Sequence, residues 1–192
     1  MRKWTIIITL ALVLSGCQWF DNNDIDEAKF QRYSAYYTSI FDNDRFILAS
    51  EYYDIEVVMN KISDAEYRYD VIIDSPRIAM YAIEVMVVEN NITPEVASKM
   101  MPTIGIFEQV EYNLIPYQVN IDKGYVKGLI VNGISSEPTI NLKIMVLWRD
   151  YAKLIVTREF FDINKMYDDG TPVEEPIGDD EDTEGADEGS NP

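Results

Sequence analysis

The chain has 192 residues, 47% of them apolar, which is enough for one ordinary domain with a core that needs no metal or disulfide staple. It carries 34 acidic and 16 basic residues, a formal charge of −18, and a field of that sign repels phosphate backbones, so nucleic acid is excluded as an expected partner. Histidine is absent and cysteine occurs once, which removes an intramolecular disulfide, the Ser-His-Asp and Cys-His arrangements, and His-ligated zinc or copper.

The first element is an export signal. Arg2 and Lys3 form a positive start, Trp4–Leu14 is an apolar stretch of eleven residues, and the small residues Ser15 and Gly16 precede Cys17. A stretch of this length is shorter than the roughly 20 residues of a transmembrane helix. Leu14-Ser15-Gly16-Cys17 resembles the lipobox of bacterial prolipoproteins. That resemblance implies cleavage between Gly16 and Cys17 and a diacylglycerol-modified, palmitate-bearing Cys17 at the new N-terminus. It places the protein on the extracytoplasmic face of a cell membrane or outer membrane, and Gln18 in the position after the cysteine implies outer-membrane sorting in a Gram-negative cell. Two acyl chains hold where one is marginal, since each buried CH₂ contributes about 0.8 kcal/mol. Loss of Arg2 and Lys3 takes the side-chain charge of the remainder to −20. Trp19 and Phe20 directly follow the anchor, and their rings suit either the membrane interface or the domain surface.

Residues 17–23 are thus the lipidated cysteine and a short spacer, and residues 24–167 are read as one β-rich domain. A helix is expected from Asp24 as N-cap, with Glu27 as capping-box partner, and Phe30, Tyr33, Tyr37, Ile40 and Phe41 as its apolar face. Asp42-Asn43-Asp44 ends it, with a resumption through 45–50 left open. The period then changes to two. Tyr53, Ile55, Val57 and Met59 alternate, as do Tyr67, Tyr69, Val71 and Ile73, with a turn at Ser63-Asp64 between them. Ile78–Glu89 is almost continuously apolar and reads as a buried strand. Thr93-Pro94-Glu95 predicts a short helix stopped by Pro102. Further strands are predicted at 106–115, 125–134, 140–148 and 152–161, with Arg149-Asp150-Tyr151 as a tight connection before the last.

This spacing predicts a mainly β fold: an antiparallel β-sandwich of immunoglobulin-like type preceded by an N-terminal helix. The alternative is a cystatin-like α+β arrangement with the helix on one curved antiparallel sheet. Gly124-Tyr125-Val126-Lys127-Gly128 leading into Ile144–Asp150 resembles the final strands, over 124–161, of immunoglobulin-like domains on bacterial envelope proteins, with Tyr151 standing where small residues are usual. From Asp168 to the end there are eleven acidic residues and no Lys or Arg, with Val173 and Ile177 as the only sizeable apolar side chains. Such a tail, 168–192, cannot bury enough surface to order itself.

Few residues point to chemistry. The tail has no EF-hand spacing, and Asp21–Asp26 fails at its fifth position, Ile25. No metal or cofactor site is expected. Many acids permit many carboxylate pairs, but no spacing selects one for glycoside hydrolysis. Glu84 stands out because it interrupts an apolar strand, where its default role is an ion pair. Tyr33, Tyr36, Tyr37, Tyr52, Tyr53, Tyr67 and Tyr69 concentrate in the N-terminal half, either as core or as a stacking surface for sugars. Gly105, Gly124, Gly128 and Gly133 read as turn or bulge positions. The expectation is a non-catalytic envelope interaction or assembly module that binds an unidentified protein through a sheet face or edge. A glycan- or peptidoglycan-binding module is the alternative, and a carboxylate hydrolase the third reading.

Overall fold

The computed structural model describes residues 22–169. The chain order is α1 (Asn22–Asp42), β1 (Asp54–Ser63), β2 (Glu66–Asp74), β3 (Met80–Glu89), β4 (Thr103–Ile104), β5 (Tyr112–Leu114), β6 (Gly128–Ser135), β7 (Thr139–Arg149) and β8 (Val156–Met166). Pairing among the strands is antiparallel throughout. One sheet has the order β1-β2-β6, and the other β4-β3-β7-β8 with β5 also paired to β3. The protein is a β-sandwich with an N-terminal helix, and it has two sheets rather than the single curved sheet of the alternative.

Alternation explains the layers. Val57, Met59, Tyr69, Val71, Ile73, Leu129 and Val131 point from the three-stranded sheet into a core shared with Val85, Val87, Leu142, Ile144, Val146 and Phe161 of the larger sheet. The other face of the larger sheet presents Met86, Val88, Met145 and Leu147 to the helix. Strand β3 is therefore covered on both faces, which is why its sequence is a continuous apolar run rather than an alternating one.

Helix α1 buries Tyr33, Tyr36, Tyr37 and Ile40, the i, i+3, i+4, i+7 stripe of an amphipathic helix. Ile40 is wholly buried, which stabilises the helix–sheet contact by about 2 kcal/mol. The helix begins at Asn22, so Asp24 lies inside its first turn instead of capping it. It does not resume after Asp44. The Ile47 backbone N–H donates to the Phe160 carbonyl at 2.9 Å, so this segment runs along the β8 edge instead.

Several predicted elements are corrected. Residues 93–102 form one turn, with the N–H groups of Val96 and Ala97 both donating to the Thr93 carbonyl, and no helix follows. Ile92, Ala97 and Met101 pack this segment against the helix-side core. The strand expected over 106–115 shrinks to β5, because β3 already pairs with β4 beside it. The last strand begins at Val156, four residues later than expected. The loop before it spans 150–155 and is closed by the Asp150 carboxylate, which accepts from the N–H groups of Leu154 and Ile155 at 2.8 and 2.9 Å. Lys153 takes a left-handed φ of 59° there, so Tyr151 is not part of a tight two-residue turn.

Candidate functional site

The site is made by an irregularity in β3. Tyr81 pairs with Arg149 and Glu84 with Leu147, so two residues, Ala82 and Ile83, stand opposite Trp148 alone. This is a β-bulge, and Ala82 adopts a φ of 46°, left-handed backbone that a non-glycine residue rarely takes. Its N–H is held by the Asn113 side-chain oxygen at 3.0 Å. The extra residue reverses the side-chain parity of the strand. Met80 points into the sandwich before the bulge, and Ile83, Val85 and Val87 point there after it. Without the bulge, Glu84 would face the sandwich core. With it, Glu84 faces the helix.

The helix meets it with two side chains one turn apart. Arg32 Nη1 donates to Glu84 Oε1 at 2.9 Å, and the Tyr36 hydroxyl donates to Oε2. From the end of β7, Arg149 Nη1 donates to the Ala82 carbonyl at 3.1 Å and reaches Glu84 Oε1 at 3.4 Å. The Glu84 side chain is 5% exposed, against 43% for Arg32 and 23% for Arg149. Burial, then the Glu84 carboxylate, pushes the Tyr36 hydroxyl up to about 12. The Arg158 guanidinium lies 5.6 Å from the Tyr36 ring centre, bracing it from β8.

Above this cluster opens a cleft of about 820 Å³, walled by α1 (Asp26, Lys29, Arg32), the 105–111 segment, Arg149 and Lys153. Lys29 donates to the Phe107 carbonyl at 2.6 Å, and Lys153 grips both oxygens of Glu111 at 2.7 Å. Gly105, with φ +81°, lets the wall close on the bulge: a Cβ there would lie 2.2 Å from the Ile83 carbonyl oxygen.

A second buried carboxylate lies at the far end of β3. Glu89 accepts from the Tyr69 hydroxyl at 2.7 Å and pairs with Lys99 at 2.7 Å. Gly133 makes the room, since a Cβ there would come within 2.4 Å of the Tyr69 hydroxyl and 2.7 Å of Glu89 Oε1.

The tyrosines singled out in the sequence are mostly interior. Tyr33, Tyr36, Tyr37, Tyr53 and Tyr69 are buried, and Tyr52 and Tyr67 pack against the core. Exposed rings and aliphatic chains lie elsewhere. Asp54, Asp74 and Gly128 are in register at one end of the sandwich, where the β2–β3, β5–β6 and β7–β8 connections also meet. That end exposes Tyr117, Val119, Ile121, Tyr151, Leu154 and Ile155, with Tyr117 and Leu154 almost wholly in solvent. No hydrophobic period marks them, because they sit on loops.

Among the described residues no group of three or more His, Cys, Asp or Glu is placed to hold a metal ion, and no helix is long and apolar enough to cross a membrane. The predicted cleavage and lipidation positions Gly16 and Cys17, the interface pair Trp19 and Phe20, and the tail from 170 lie outside the described residues. Comparison with family models, curated proteins and solved structures gives no match, so any functional reading rests on this chain's own residues.

Proposed function

We propose that this protein is a lipid-anchored, extracytoplasmic interaction module without catalytic activity, and that its loop end receives a protein partner held at the same membrane. The observation that carries this reading is the set of exposed apolar side chains at that end: Tyr117, Val119, Ile121, Tyr151, Leu154 and Ile155. Exposed apolar groups concentrated on the loops of one end support an interaction site there. Chain length supports the location. Cys17 is five residues ahead of Asn22, a reach of at most about 18 Å. Asp26 and Lys29 of α1 line the same cleft as Lys153 of the β7–β8 loop, which supports an anchor on the side of the domain that carries the loop end. The non-catalytic reading is supported by Glu84, whose carboxylate is engaged by Arg32, Tyr36 and Arg149 and is not free to work as an acid or base.

Two measurements test this. Cys17→Ser should abolish acyl labelling in cells, and unchanged labelling would overturn the anchor. A photo-crosslinking residue at Tyr117 or Leu154, in intact cells, should give a discrete protein adduct that the same residue at Ile62, at the opposite end, does not. Adducts with lipid alone, or equal adducts from both ends, would overturn the partner reading.

A further inference from the structure

The floor of the β3 cleft carries more positive charge than its own carboxylate neutralises. Arg32 and Arg149 bring two guanidinium groups to the single carboxylate of Glu84. Each guanidinium has five N–H donors, and the contacts made among the described residues use few of them. Both side chains line the cleft, and its volume of about 820 Å³ falls in the range of small-ligand sites. The surroundings are held in place. Tyr36 fixes the second oxygen of Glu84, the Ala82 bulge fixes Arg149, and backbone held in a rare conformation is characteristic of binding and active sites.

We infer that this cleft binds the carboxylate of an amino acid or a peptide end, with Arg32 and Arg149 as its clamp. The planar forks of the two arginines match a carboxylate, and the lining as a whole is neutral, with Lys29, Arg32, Arg149 and Lys153 against Asp26, Glu84, Glu108 and Glu111, which suits a zwitterionic amino acid or peptide. Asp26 and Glu108 stand in the walls, where they repel a phosphate dianion and suit the ammonium or amide donors that follow a peptide carboxylate. In the free cleft Glu84 occupies one face of both guanidiniums and competes with the ligand carboxylate for them. This inference stands on the cleft alone, apart from the docking of a partner at the loop tips.

The test is calorimetric titration of the full mature chain in detergent. Trialanine with a free carboxylate should bind saturably, and its C-terminal amide should bind at least tenfold more weakly. Free alanine separates the two sources: binding equal to trialanine assigns an amino acid, and weaker binding assigns a chain end. Arg149→Gln should lose at least tenfold in affinity. Glu84→Gln keeps both guanidiniums and removes their internal competitor, so it should bind trialanine severalfold more tightly, an effect that a purely structural ion pair would not produce. Equal binding of acid and amide, absence of binding, tighter binding of inorganic phosphate, or unchanged affinity in Glu84→Gln would each overturn the inference. Loop-tip adducts are read separately, so failure here leaves the partner reading standing, and the reverse.

Discussion

Strand β3 carries two buried glutamates that meet different fates. Glu89 is balanced: one Tyr69 hydroxyl, one Lys99 ammonium, and a space cut to fit by Gly133. Glu84 is unbalanced, with two arginines, a tyrosine and an open cleft above it. Burial of a carboxylate is therefore not the mark of a site. The mark is surplus charge together with room for something to use it. Glu89 ties two sheets and a loop together, whereas Glu84 holds a pair of guanidiniums at a surface.

That contrast can be broken or sharpened by measurement. The largest effect should come at the closed end. Gly133→Ala forces a methyl group against the Tyr69 hydroxyl and Glu89, and should cost about 3 kcal/mol in urea unfolding. A loss under half of that would mean that the Glu89 pocket has slack. Next, the two tyrosine hydroxyls should differ. Tyr69→Phe removes a buried hydrogen bond to a carboxylate and should cost about 2 kcal/mol. Tyr36→Phe should cost about 1 kcal/mol, because Arg32 and Arg149 still hold the Glu84 carboxylate. Equal costs would erase the distinction between a closed and an open carboxylate.

Titration sharpens it further. Burial raises the Tyr69 hydroxyl above its ordinary value of 10.0, and raises Tyr36 to about 12. A group raised in the folded state holds its proton more tightly there than in the unfolded chain. Its contribution to stability is therefore whole below pH 10 and is lost as pH rises toward 12. Phenolate absorbance should show Tyr36 ionising near 12 in the folded protein, and Tyr36→Phe should flatten part of the alkaline loss of stability. A Tyr36 that titrates at 10 would mean that the Glu84 cluster is solvated. The smallest effect belongs to the loop tips. Leu154→Ser should change stability by no more than about 0.5 kcal/mol, since the side chain is exposed, while weakening the partner adduct formed through Tyr117.

Much of this architecture is legible in the sequence where periodicity is strong. Tyr53–Met59 and Tyr67–Ile73 alternate because one face of each is buried, and β3 is unbroken because both faces are. The Phe30–Phe41 stripe marks the helix, although Tyr36 belongs to the same buried face and carries the contact to Glu84. Glu84 is visible as a polar interruption, but its surroundings are not. Ala82 has no glycine or asparagine to signal left-handed backbone, so nothing in the sequence marks the bulge that turns Glu84 toward the helix. Arg149 reads as a connection residue, and nothing in the sequence marks Arg32, because their meeting depends on pairing between distant strands and on where the helix packs. The 93–102 segment misleads because Thr-Pro-Glu is a local start signal that tertiary packing overrides.

The double covering of β3 also bears on how the chain acquires its structure. Met80–Glu89 leaves the ribosome well before Thr139–Arg149, the strand that lies along most of its length. Until that later segment arrives, a run such as Val85-Met86-Val87-Val88 has no neighbour on that side, and it is a sticky template for other chains. The interior that makes the finished sandwich durable is thus the stretch most in need of a holding chaperone during biogenesis.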